Sequence, residues 1–77
     1  MTQSIIASLF HDWIDSGKLE VIQDGKMYQL ISPEKTVVEQ IKQKLNNLAD
    51  AGTVSIFYQS KIWENTRGNY EFSVSIQ

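Results

Sequence analysis

The stretch from Ser32 to Gly52 constrains the fold more than any other part of the sequence, because it predicts one well-delimited amphipathic helix. Ser32 and Pro33 are typical of a helix start, where a serine oxygen caps a free amide and proline occupies the first helical position. Gly52 suits the left-handed residue that follows a helix. The apolar stripe in between is Val37, Val38, Ile41, Leu45, Leu48 and Ala49. Such a stripe has to be covered by another layer of structure.

Two apolar-bearing runs before this helix predict a β-hairpin. Residues 18–23 and 26–32 are separated by Asp24-Gly25, which is among the strongest short signals for a hairpin with a type I′ turn. A two-residue loop at that point places Ile22 opposite Met27 and Val21 opposite Tyr28.

The residues after the helix predict a second hairpin. Residues 53–63 are rich in β-branched and aromatic side chains, residues 64–69 form a polar turn, and residues 70–77 alternate apolar and polar. The apolar positions of all four runs are expected on one sheet face. They are Leu19, Val21, Tyr28, Leu30, Val54, Ile56, Tyr58, Ile62, Tyr70, Phe72, Val74 and Ile76.

The first segment predicts another helix, over residues 2–16, with Thr2 or Ser4 as N-cap and Gly17 after its end. Its apolar face is Ile5, Ile6, Leu9, Phe10, Trp13 and Ile14. The expected fold is a single α+β domain over residues 1–77, a two-layer sandwich with the element order α-β-β-α-β-β. Both helices are expected on one face of a four-stranded, largely antiparallel sheet.

Composition excludes several classes of protein. The chain has 77 residues, no cysteine and a net charge of −2, so disulfides and thiolate metal sites are excluded. Its seven Lys and Arg residues are spread along the chain, whereas duplex-binding domains cluster them. No apolar run is long enough to span a membrane, and no targeting segment is recognisable. We expect a soluble, cytoplasmic protein.

The sequence has few residues arranged in a way that suits catalysis. His11 and Asp15 share a helix face beside Asp12, but a zinc site needs three or four ligands and there is no second histidine. Glu64 and Glu71 flank the last turn, as exposed glutamates often do. No nucleophilic triad or phosphate-binding glycine loop is present. We therefore expect no enzyme activity, no metal and no cofactor.

The opposite sheet face has a few apolar residues among polar ones, namely Ile22, Met27, Ile31, Phe57 and Trp63. A contiguous apolar patch marks an interface, so this face predicts a protein-binding surface with Ile22, Met27, Phe57 and Trp63 as anchors. Lys61 and Arg67 would form its polar rim. The alternative is that the first helix covers the patch.

The function expected from this surface is that of a small accessory, adaptor or inhibitor protein, of the size found among phage and mobile-element products. Its partner would be another protein or a second copy of the chain. A second hypothesis is single-stranded nucleic-acid binding, with bases stacked on Phe57 and Trp63 and the backbone held by Lys61 and Arg67. The negative net charge makes nucleic acid the less favoured partner.

Overall fold

The computed structural model describes residues 5–76 and confirms the predicted α+β class. The helices are α1 (Ile5–Leu9), α2 (His11–Asp15) and α3 (Lys35–Asp50). The strands are β1 (Glu20–Asp24), β2 (Met27–Ser32), β3 (Ile56–Gln59), β4 (Trp63–Glu64) and β5 (Tyr70–Ile76).

All strands belong to one antiparallel sheet in the order β1-β2-β5-β3. The short strand β4 also pairs with β5. It lies on the same side of β5 as β3, because β2 is paired along the other side. Strands β3 and β4 are thus two pieces of the predicted third strand, which is why the sheet has five strands.

The core lies between the sheet and the helices. Ile6 and Phe10 from the first segment and Ile41 and Leu45 from α3 are buried in one cluster with inward side chains of the sheet, such as Phe72. All helices of the described chain therefore pack on the inner sheet face, as predicted. Residues 5–16 of the first segment do not cover the opposite face.

The predicted first helix is broken in two. At Phe10 the backbone leaves helical geometry, with φ −123° and ψ 25°, and α2 begins at the next residue. The Phe10 side chain is 1% exposed, so the break accompanies insertion of a large ring into the core. Gly17 follows α2 with φ +79°, as predicted. The predicted caps Thr2 and Ser4 lie outside the described residues.

Helix α3 begins two residues later than the sequence predicts. Ser32 belongs to β2 and is fully buried, and its Oγ accepts a hydrogen bond from the Glu34 amide at 3.1 Å. The serine therefore holds the turn that leads into the helix, while Glu34 occupies the N-cap position. Gly52 takes φ +79° beyond the helix end, as predicted.

The first hairpin has a different register from the predicted one. Asp24 pairs with Met27, so the loop is Gly25-Lys26, and Val21 faces Leu30 instead of Tyr28. Gly25 has φ +65°, and within residues 5–76 only glycines have positive φ, so Lys26 does not. Positive φ at the first loop residue alone matches a type II′ turn. A type I′ turn at Asp24-Gly25 would have required positive φ at Asp24. The register moves by two residues, so the faces of the strands are as predicted.

A β-bulge in β3 overturns the predicted orientation of two residues. Ile56 pairs with Ile76 and Tyr58 with Ser75, so β3 advances by two residues where β5 advances by one. At Tyr58 and Gln59 the alternation is therefore inverted. Tyr58 is 51% exposed instead of buried, and Gln59 is opposite Val74 on the inner side. Ile62 packs against the core as predicted.

Candidate functional site

The outer sheet face is the surface opposite the helices, and its layout follows from the register because antiparallel partners share a face. Three rows of side chains cross it. They are Glu20, Ile31, Glu71 and Trp63 in the first row, Ile22, Gln29, Ser73 and Ser60 in the second, and Asp24, Met27, Ser75 and Tyr58 in the third. These positions carry three carboxylates and no lysine or arginine.

Large apolar side chains are exposed at both edges of this face. Ile22 on the edge strand β1 is 43% exposed, and Trp63 on the opposite edge is 41% exposed. Met27 and Ile31 on β2 are only half-buried. The predicted anchors Ile22, Met27 and Trp63 therefore share the outer face, but polar side chains of β2 and β5 separate Ile22 from Trp63.

The edge formed by β3 and β4 carries three of the five large hydrophobic side chains that are exposed among the described residues. Phe57 in the bulge is 63% exposed, and together with Tyr58 and Trp63 it forms a group that we call the aromatic edge. Tyr58 is a candidate site residue that alternation alone placed in the core. Nothing in the residue types around it signals a bulge. Lys61 is exposed between the two strands.

The turn between β4 and β5 is held by Asn65. Its Oδ1 accepts hydrogen bonds from the amides of Arg67 at 2.9 Å and Asn69 at 3.0 Å. Its Nδ2 donates to Glu71 Oε2 at 2.7 Å. Gly68 completes the turn with φ +82°. One asparagine therefore fixes both the shape of the turn and the position of a carboxylate on the outer face.

Glu71 was predicted to face water, but the structure buries it. It is 8% exposed although it points to the outer face, opposite Trp63 and Ile31. Glu64 is opposite Tyr70, one position away on β5, and therefore points to the other face. The two glutamates that flank the turn do not form a carboxylate pair on one face.

A cavity of about 260 Å³ lies between the turn and β1, and we call it the acidic pocket. Its walls are Glu20, Ile22, Gln29, Ile31, Asn65, Thr66, Arg67, Asn69 and Glu71. It combines two carboxylates, one guanidinium, several amides and two isoleucines. Of the predicted site residues, Ile22 and Arg67 line it. Sequence reasoning missed the pocket because the turn residues and β1 are far apart in the chain.

His11, which was weighed as a metal ligand, makes local contacts on the first segment. His11 Nε2 lies 3.1 Å from Asp12 Oδ1, and His11 Nδ1 lies 3.3 Å from the Ser8 carbonyl oxygen. Both imidazole nitrogens therefore have local partners. Within residues 5–76, no three or more histidine, aspartate or glutamate side chains are grouped so that they could hold a metal ion.

No helix among the described residues has the length and apolar character needed to cross a membrane. No family model, no curated protein and no solved structure matches the chain.

Proposed function

We propose that this chain is a small, non-enzymatic protein-binding module, an adaptor, accessory or inhibitor protein, that binds a partner protein through its outer sheet face. The observation that carries the proposal is the aromatic edge. Phe57, Tyr58 and Trp63 lie along one edge of the sheet and are all more than two-fifths exposed, and no helix of the described chain covers the outer face. Aromatic side chains are the most frequent energetic anchors of protein interfaces.

The exposed aromatic area is large enough to support binding. An aromatic side chain buries 150–250 Å² when fully covered, so the exposed part of Phe57 is on the order of 100 Å². Covering it removes about 2–3 kcal/mol of unfavourable hydration. Tyr58 and Trp63 add comparable amounts, and together the three residues exceed the contribution of typical scattered surface residues.

Charge on the outer face favours a protein over a nucleic acid. The strand positions contribute Glu20, Asp24 and Glu71, whereas the cations Lys61 and Arg67 lie outside the strands. Carboxylates repel a phosphate backbone, and nucleic-acid binding depends on cations that replace its counterions. Titration with a single-stranded oligonucleotide at low salt is expected to leave the tryptophan fluorescence unchanged.

A partner other than a second copy is favoured at the β1 edge. If two β1 strands paired antiparallel about Ile22, Glu20 of each copy would lie opposite Asp24 of the other. Like charges directly opposite one another destabilise a sheet. The aromatic edge is the other edge of the sheet at which a symmetric dimer could form, and light scattering of the purified chain separates a dimer from a monomer.

The test uses a photo-reactive benzoyl-phenylalanine placed at Tyr58 and, as a matched control, at the exposed Glu39 on α3. In the native host, the Tyr58 variant is expected to crosslink one defined protein that the Glu39 variant does not. That protein is then purified and its affinity measured by calorimetry. The double variant F57A/W63A is expected to bind it at least about tenfold more weakly, since two anchors are removed.

Two results would contradict the proposal. One is equal crosslinking from both sides of the molecule, and the other is unchanged affinity of a folded F57A/W63A variant. Circular dichroism of the double variant establishes that it is folded before either result is interpreted.

A further inference from the structure

We infer that the acidic pocket receives an arginine side chain of the partner protein, so that the outer face recognises a basic residue next to apolar ones. This inference rests on the proposed function and identifies the chemistry of the partner at one point of the same face. Glu20, Ile31 and Glu71 line the pocket and belong to the same row as Trp63, which is paired with Glu71. One bound segment can therefore contact both the pocket and Trp63.

Glu71 has hydrogen-bonding capacity that its partner Asn65 does not use up. Glu71 as a residue is 8% exposed, and an ionised carboxylate can accept about four hydrogen bonds. In the described part of the chain, its side chain receives one, from Asn65 Nδ2. The glutamate also lines the cavity. Its remaining capacity is therefore directed at whatever enters the pocket.

Glu20 brings a second carboxylate to the pocket. Glu20 and Glu71 both pair with Ile31, one from each side, so their backbones are two strand spacings or about 10 Å apart. Side chains stand roughly perpendicular to a sheet, so the two carboxylates flank the same space. A planar guanidinium has five donors and can bind both groups, whereas an ammonium is a compact point charge.

The chain's own cation at the pocket does not pair with these carboxylates. Arg67 lines the pocket, but no ion pair joins its guanidinium to either carboxylate within residues 5–76. Two carboxylates against one guanidinium leave the pocket with an excess negative charge. Ile22 and Ile31 supply an apolar floor for the methylene stem of an incoming arginine.

The test is an NMR titration of the isotope-labelled full chain with the blocked peptide acetyl-Leu-Arg-Leu-amide. The matched control peptide contains citrulline, which keeps the shape of arginine but has no charge. Saturable amide shifts are expected at Gln29, Ile31, Glu71 and the 65–69 turn, with a Kd of about 1–10 mM. The citrulline peptide is expected to bind about tenfold more weakly, because charge-assisted hydrogen bonds are lost.

Charge-removing variants locate the site. E71Q is expected to weaken arginine-peptide binding about tenfold, and E20Q about threefold because Glu20 is exposed. E39Q removes the same charge from the exposed side of α3 and is expected to have no effect. R67Q removes a competing cation and is expected to strengthen binding about twofold. If E71Q fails to fold, E20Q and the citrulline peptide still decide the matter.

The inference is overturned by equal binding of the arginine and citrulline peptides, by shifts confined to other surfaces, or by no saturable shift at about 50 mM peptide. Weaker binding of R67Q would also overturn it, since Arg67 would then contribute to peptide binding instead of competing with the incoming guanidinium. Failure here is separable from failure of the proposed function. If F57A/W63A loses the crosslinked partner while E71Q and E20Q retain it, the protein-binding proposal stands and the arginine pocket is wrong. If the peptide binds but the partner is indifferent to F57A/W63A, the reverse holds.

Discussion

Strand β5 has two faces that are buried by different means. Phe72 and Val74 are fully buried because an entire layer of helices covers the inner face. Their neighbour Glu71, on the outer face, is buried beside a single turn whose shape is fixed by Asn65. Burial on the inner face is therefore shared among many side chains. On the outer face, the position of the buried carboxylate depends on one hydrogen-bonded residue.

The largest effect on stability is expected when a buried side chain of the inner face is truncated. F72A removes a fully buried ring and should lower the free energy of unfolding by about 3–5 kcal/mol. A 77-residue chain has a total of about 4–12 kcal/mol, so the variant loses much of its stability. Urea unfolding followed by circular dichroism measures the difference. The control S73A, one residue along on the outer face, should change stability by less than about 1 kcal/mol. Similar losses in both variants would remove the contrast between the faces.

The inner face is also the part of the molecule that the sequence predicts well. Leu30, Phe72 and Val74 follow strict alternation, and the stripe of α3 has helical spacing, so burial of apolar area decides where they point. Even the wrong hairpin register leaves these residues on the correct face, because it differs by two positions.

The outer face is predicted less well, for physical reasons that local sequence does not carry. The bulge that turns Tyr58 outward inserts one residue into an otherwise regular run, and pairing with β5 decides its place. The burial of Glu71 depends on the side chain of Asn65, six residues away. Exposure of Ile22, Phe57 and Trp63 was predicted, but the acidic pocket was not.

An intermediate effect on stability is expected when the side chain that holds the turn between β4 and β5 is truncated. N65A removes the acceptor for two amides and the donor to Glu71, so unfolding free energy should fall by about 2 kcal/mol. N69A is the matched control, since its side chain has no hydrogen bond among the described residues. The amide shifts of residues 65–71 should change in N65A far more than those of α3. A stability equal to that of N69A would show that the turn does not depend on Asn65.

The smallest effect on stability is expected at Gln59, a residue that the bulge in β3 turns from the outer face to the inner face. The bulge directs this side chain inward, and its Nε2 is buried without a hydrogen-bond partner among the described residues. Replacing an unsatisfied buried amide with an apolar side chain of similar size removes its desolvation cost, so Q59L should raise the unfolding free energy by about 1 kcal/mol.

The same substitution at the exposed Gln40 of α3 provides the control and should change stability by less than about 0.5 kcal/mol. If β3 were a regular strand, Gln59 would point to water and Q59L would behave like Q40L. Tyr58 would then point into the core, and the aromatic edge would lose one of its three members. A stabilising Q59L therefore supports the bulge and, with it, the outward position of Tyr58. Equal behaviour of the two variants would remove Tyr58 from the proposed interface.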